Sequence, residues 1–134
     1  MTNSAPTTDA ATPPRKQFRV LYADDMLQLR ELIAIVLGRD GHTVDTAANG
    51  RQALEKLTAD PAGYDVLITD HHMPELNGLE LVSGIRALPY KGKIIVFSSE
   101  LSTSVDASYR RHRVDHILPK PIFPSDLRAI FATL

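Results

Sequence analysis

The chain has 134 residues, 43% of them hydrophobic and 23% charged, with a formal net charge of −1 and no cysteine. That length is one domain with room for a substantial core, and the charge balance gives no broad attraction to nucleic acid or an anionic membrane surface. Disulfides, thiolate chemistry and zinc–thiolate sites are excluded, and the longest apolar stretch, Leu32 to Leu37, is too short to span a bilayer.

Residues 1–17 are rich in Thr, Ala and Pro and carry no apolar period. Such a segment cannot bury enough surface to offset the entropy of ordering, so a disordered tail is expected there, with one folded domain over residues 18–134. The amino terminus lacks the apolar core of a secretory signal, which makes the cytoplasm the expected compartment.

From Phe18 onward, strand-like and helix-like segments alternate. The first apolar run, Phe18 to Ala23, ends at Asp24-Asp25. Leu29, Leu32, Ile33, Val36 and Leu37 then recur with helical period until Asp40-Gly41. His42 to Ala47 is a short strand candidate, and Asn49-Gly50 opens a helix carrying Ala53, Leu54 and Leu57. The run Tyr64 to Thr69 ends at Asp70. Asn77-Gly78 precedes a helix with Leu79, Leu81, Val82, Ile85 and Leu88, closed by Pro89.

Ile94 to Phe97 ends at Ser98, and a helix follows with Leu101, Val105, Tyr109 and His112 on one face. Asp115 to Leu118 leads through Pro119 to Lys120. Ser125 is the expected N-cap of a last helix, buried through Leu127, Ile130 and Phe131. Five strand–helix alternations imply a doubly wound α/β fold, a parallel sheet with helices on both faces.

In such a sheet the carboxyl ends of the strands share one edge, where ligands bind. That edge would collect Asp24, Asp25, Asp70, Ser98 and Lys120. Three carboxylates raise one another's pKa unless a cation compensates, and an all-oxygen set with open positions suits Mg²⁺. With Lys120 adding positive charge, the site would attract a phosphoryl group. Asp70 stands alone at the end of its run, so it is the expected acceptor, forming an aspartyl-phosphate, while the Asp24-Asp25 pair suits the metal. Ser98 is placed to hydrogen-bond the new group.

At these residues the chain resembles the receiver domains of two-component response regulators. The resemblance is carried by Asp24-Asp25, Asp70, Met73-Pro74, Asn77-Gly78, Ser98-Ser99-Glu100 and Lys120-Pro121, in that order and spacing. It implies a flavodoxin-like five-stranded sheet of order 2-1-3-4-5. It also implies a phosphorelay in which Asp70 takes its phosphoryl group from a sensor histidine kinase or a histidine phosphotransfer protein. Asp25, Asp70 and the main-chain carbonyl of His72 would hold Mg²⁺, with Asp24 acting through water. Lys120 would contact the phosphoryl group, Ser98 would be the switch hydroxyl, and Lys120-Pro121 is a place for a cis bond. The domain would be a switch rather than an enzyme, stand-alone, a monomer or weak dimer, and bound to a further protein partner.

Two features depart from the pattern. Ile117 stands in the switch region where an aromatic usually turns inward, and Arg113-Val114 replaces a Gly-Ala pair, which predicts an unusual helix end. The competing function is a degenerate receiver acting only by protein contact. A haloacid dehalogenase-type phosphohydrolase would want Asp-x-Asp, and a flavin carrier would not place Asp24-Asp25 against its phosphate. His71-His72 is read as two exposed loop histidines, with transition-metal binding as the alternative. Arg110-Arg111-His112-Arg113 is read as a basic helix C-terminus, not a nucleic-acid site.

Overall fold

A computed structural model describes residues 16–100 and 102–134. Most of the expected tail, and Leu101, lie outside the described residues. The strands are β1 (Arg19–Ala23), β2 (Thr43–Ala47), β3 (Val66–Asp70), β4 (Lys93–Ser98) and β5 (His116–Pro119). The helices are α1 (Leu27–Arg39), α2 (Gly50–Ala59), α3 (Gly78–Arg86), α4 (Thr103–Arg111) and α5 (Pro124–Phe131). All four strand pairings are parallel and the order is β2-β1-β3-β4-β5, the expected sheet.

Alternation along each strand divides the core into two layers. Leu21, Ala23, Leu67, Ile94 and Val96 face α2, α3 and Tyr109 of α4. Val20, Tyr22, Val66, Ile68, Ile95 and Phe97 face α1 and α5 through Ile33, Val36, Leu37, Leu127 and Phe131. Every residue of β3 is buried, as a central strand covered on both faces requires. Full burial of Leu67 or Ile68 stabilises the sheet by about 1.5–3 kcal/mol each.

Local sequence sets the helix starts. The Asn49 side chain accepts the Gln52 N–H at 2.8 Å, and Asn77 and Glu80 form a reciprocal capping box. The last helix corrects the sequence reading. It begins at Pro124, with Phe123 at the N-cap, because proline is already set for the first helical position; Ser125 lies inside the first turn. The Asp126 carboxylate, not a serine hydroxyl, accepts the Phe123 N–H at 3.1 Å.

Leu32 is also corrected. It is 47% exposed, because α1 meets the sheet through Ile33, Val36 and Leu37, one position around the helix. The unusual helix end expected at Arg113 is present: φ is +59°, the left-handed region that favours glycine. Arg86 stabilises this end, donating from Nε to the His112 carbonyl at 2.9 Å and from Nη2 to the Arg113 carbonyl at 2.7 Å.

Candidate functional site

The sheet register assembles the site. Ala23 pairs with Thr69, Asp70 with Phe97 and Ser98 with Pro119, so Asp24, Asp70, Ser98 and Lys120 emerge at one edge. The Lys120–Pro121 bond is cis. Lys120 Nζ lies 3.0 Å from Asp70 Oδ1 and 3.8 Å from Asp24 Oδ2. Carboxylate oxygens of Asp24, Asp25 and Asp70 lie within 4.8 Å of one another.

The three carboxylates are not equivalent. Asp24 is fully buried; Tyr22 Oη donates to its Oδ2 at 2.6 Å, and the Met26 N–H donates to its Oδ1 at 2.9 Å. Asp25 is exposed. Asp70 is buried, with Oδ1 accepting the His71 N–H at 2.9 Å. Burial pushes the Asp70 carboxyl above the usual carboxylate range and Asp24 adds to this, while Lys120 and the His71 N–H oppose it. Burial and the bond to Asp24 likewise drive the Tyr22 phenol strongly upward, so it remains a donor.

An all-oxygen donor set of one exposed and two buried carboxylates, with Lys120 as the one ammonium paired to them among the described residues, fits Mg²⁺. Asp24, Asp25 and Asp70 each offer a carboxylate oxygen to such an ion. Asp24 has both carboxylate oxygens occupied by donors, which suits contact through water.

Ser98 is committed elsewhere in this arrangement. Its hydroxyl donates to the Glu100 carbonyl at 2.8 Å and accepts the Glu100 N–H at 2.9 Å. Ile117 is half-buried and lines a cavity of about 250 Å³ together with Ser98, Glu100, Val105 and Tyr109.

The histidine pair overturns one expectation. His72 is exposed but His71 is buried, because the chain turns after β3 and carries the His71 ring under α4. His71 Nδ1 hydrogen-bonds the Tyr109 hydroxyl, and burial with the neighbouring His72 lowers the His71 pKa. Sequence reading missed three participants: Tyr22, Tyr109 and Glu100. Tyr22 was detectable, since residues two apart on a strand share a face with Asp24. Tyr109 carried only a core signal, and Glu100 stood out only as the end of the Ser98-Ser99-Glu100 run, with no role of its own.

A doubly wound α/β domain with an acidic cluster and a lysine at the carboxyl edge of its sheet carries its reactive groups where domains of this class bind their ligands. Residues 20–132 match the response regulator receiver domain model, and the chain belongs to that family. Response regulator MprA of Mycobacterium ulcerans is 33% identical over 83% of this chain and 47% of its own length. Two-component response regulator ORR3 of Oryza sativa is 30% identical over 87% of this chain and 89% of its own. The chain spans about half the length of the first of these, and less than a third of two other curated relatives.

Among solved structures, response regulator TrrA of Thermotoga maritima in complex with Mg(2+)-BeF is similar with a TM-score of 0.73 and 32% identity. The match covers 84% of this chain and 94% of that one. Members of this family are signalling switches of two-component systems. Among the described residues, no helix is long and apolar enough to cross a membrane.

Proposed function

We propose that this domain is a phospho-accepting receiver in a two-component phosphorelay, with Asp70 as the acceptor. One observation carries the reading: the Asp70 carboxylate is buried at the end of the central strand, 3.0 Å from Lys120 Nζ, with Asp24 and Asp25 grouped beside it. The donor would be a phosphohistidine on a sensor kinase or histidine phosphotransfer protein. An Asp70 carboxylate oxygen attacks phosphorus, the P–N bond breaks, and its electron pair leaves with the donor imidazole, which takes up a proton. The product is an aspartyl-phosphate.

Asp25, Asp70 and the His72 main-chain carbonyl would hold Mg²⁺, with Asp24 acting through water. When bound, the ion supplies positive charge to the phosphoryl oxygens. Lys120 holds a further phosphoryl oxygen and offsets the carboxylates in its absence. Ser98 donates to the phosphoryl group only by withdrawing its hydroxyl hydrogen from the Glu100 carbonyl, a cost of about 1 kcal/mol for that bond. Phosphorylation thus moves the loop between β4 and α4, and with it the surface offered to a protein partner.

The test is a small phosphodonor with Mg²⁺, applied to wild type and Asp70→Asn. Wild type is expected to gain an acid-stable, base-labile phosphoryl group and Asp70→Asn to gain none. Failure of both to label removes the assignment in favour of a receiver acting by contact alone.

A further inference from the structure

We infer that His71, His72 and Glu100 form a second metal site, distinct from the acidic cluster and suited to a first-row transition-metal dication of the Zn²⁺ type. His71 Nε2 and His72 Nε2 each lie 3.5 Å from the same oxygen, Glu100 Oε2, and the three ligand atoms lie within 4.8 Å of one another. A distance of 3.5 Å is long for an N–H···O bond, whose range is about 2.7–3.2 Å. It is close to the edge of a tetrahedron around zinc, which for bonds of about 2.0–2.1 Å is about 3.3–3.4 Å.

His71 supplies an independent reason. Its side chain is 8% exposed, its Nδ1 is engaged by the Tyr109 hydroxyl, and its Nε2 makes no hydrogen bond among the described residues. A buried ring nitrogen without a partner costs free energy, and this one points at Glu100. A ligating histidine characteristically has its other ring nitrogen bonded to a fixed group, which sets the tautomer and the ring orientation; Tyr109 does this for His71. The two rings lie 4.7 Å apart at an interplanar angle of 70°, so both edges converge instead of stacking. His72 is exposed and gives the ion a path in and a solvent-facing fourth position.

The donor chemistry separates the two sites. Two imidazoles and one carboxylate favour zinc and its neighbours, whereas the all-oxygen cluster favours Mg²⁺. The inference therefore goes beyond the phosphorelay reading and does not depend on it.

Co²⁺ is the probe, added to the intact protein in the presence of saturating Mg²⁺ and followed by visible absorption. Wild type and Asp25→Asn are expected to develop the intense bands of a four-coordinate site. In His72→Ala and Glu100→Gln the Co²⁺ dissociation constant should rise about tenfold or more, and Tyr109→Phe should weaken binding through the freed His71 ring. His71→Ala is avoided because the ring is part of the packing under α4. Absence of the bands in wild type overturns the site, as does their persistence in both His72→Ala and Glu100→Gln. Loss of the bands in Asp25→Asn alone would place the ion in the acidic cluster and overturn it equally.

Discussion

Removing the Lys120 charge is the sharpest perturbation of the carboxylate cluster. In Lys120→Met the side chain keeps most of its packing length, while Asp70 and Asp24 lose the ammonium at 3.0 Å and 3.8 Å. At an effective dielectric of about 20, a pair at that closer distance is worth about 5.5 kcal/mol before desolvation. Breaking a buried pair typically costs about 3–5 kcal/mol. Lys120 is 23% exposed, so water recovers part of the loss, and about 2–3 kcal/mol is expected at pH 7.5 without Mg²⁺.

The sign with pH follows from Asp70. Its carboxyl is raised in the folded protein, so ionising it costs stability as pH climbs from the unfolded value, about 3.9, through the higher folded one. Removing Lys120 raises it further. The loss should therefore be large at pH 7.5 and smaller at pH 4, where the raised Asp70 carboxyl carries less negative charge. Urea denaturation at the two pH values, with an unchanged slope, measures this directly. Saturating Mg²⁺ at pH 7.5 should restore much of the difference. Equal losses at both pH values, or no recovery with Mg²⁺, would refute the charge-balance reasoning.

Other expectations follow from single contacts. A Cβ added at Gly78 would lie 2.5 Å from the Asp70 carbonyl oxygen and 2.6 Å from the Tyr109 hydroxyl. Main chain cannot retreat cheaply, so Gly78→Ala should cost about 1–3 kcal/mol, and a thermal melt matching wild type would sink that estimate. Arg113→Gly should stabilise by about 0.5–1 kcal/mol in urea denaturation, since glycine accepts the left-handed backbone and both Arg86 bonds go to main-chain carbonyls. His72→Ala removes an exposed ring beside the acceptor loop and should change the rate of phosphoryl loss. An unchanged rate under saturating Mg²⁺ would dismiss any role of that ring in dephosphorylation.

The sheet was legible because four of its five strands, all but β2, are short apolar runs with a polar stop, and those stops fall where the register brings them together. Asp24, Asp25, Asp70 and Lys120 were readable for that reason: strand ends in a parallel sheet share an edge whatever the helices do. His71 was not. A residue just past a strand has no period to declare its direction, and its burial depends on Tyr109 arriving from a helix 38 positions later in the chain. Leu32 and Ser125 failed for local reasons, a helix rotated by one position and a proline competing for the helix start.

The same contacts bear on how the site is connected to α4, with an isoleucine and not an aromatic at position 117. Tyr109 is the only buried residue of α4, and its hydroxyl ends on His71, the residue following Asp70. Glu100, whose main chain is bonded to Ser98, places its carboxylate 3.5 Å from both histidines. Two chains of contact therefore leave the sheet edge, Asp70–His71–Tyr109 and Ser98–Glu100–His71, and they meet at one ring. A helix held by one fully buried side chain, with Val105 partly buried beside it, belongs to the more weakly held part of a fold, so a displacement at that ring acts on an element with few other anchors. An isoleucine at position 117 has no ring to swing into the cavity it shares with Ser98 and Tyr109. The aromatic that links the site to α4 is instead carried by the helix itself, so any coupling through it requires α4 to move with its anchor.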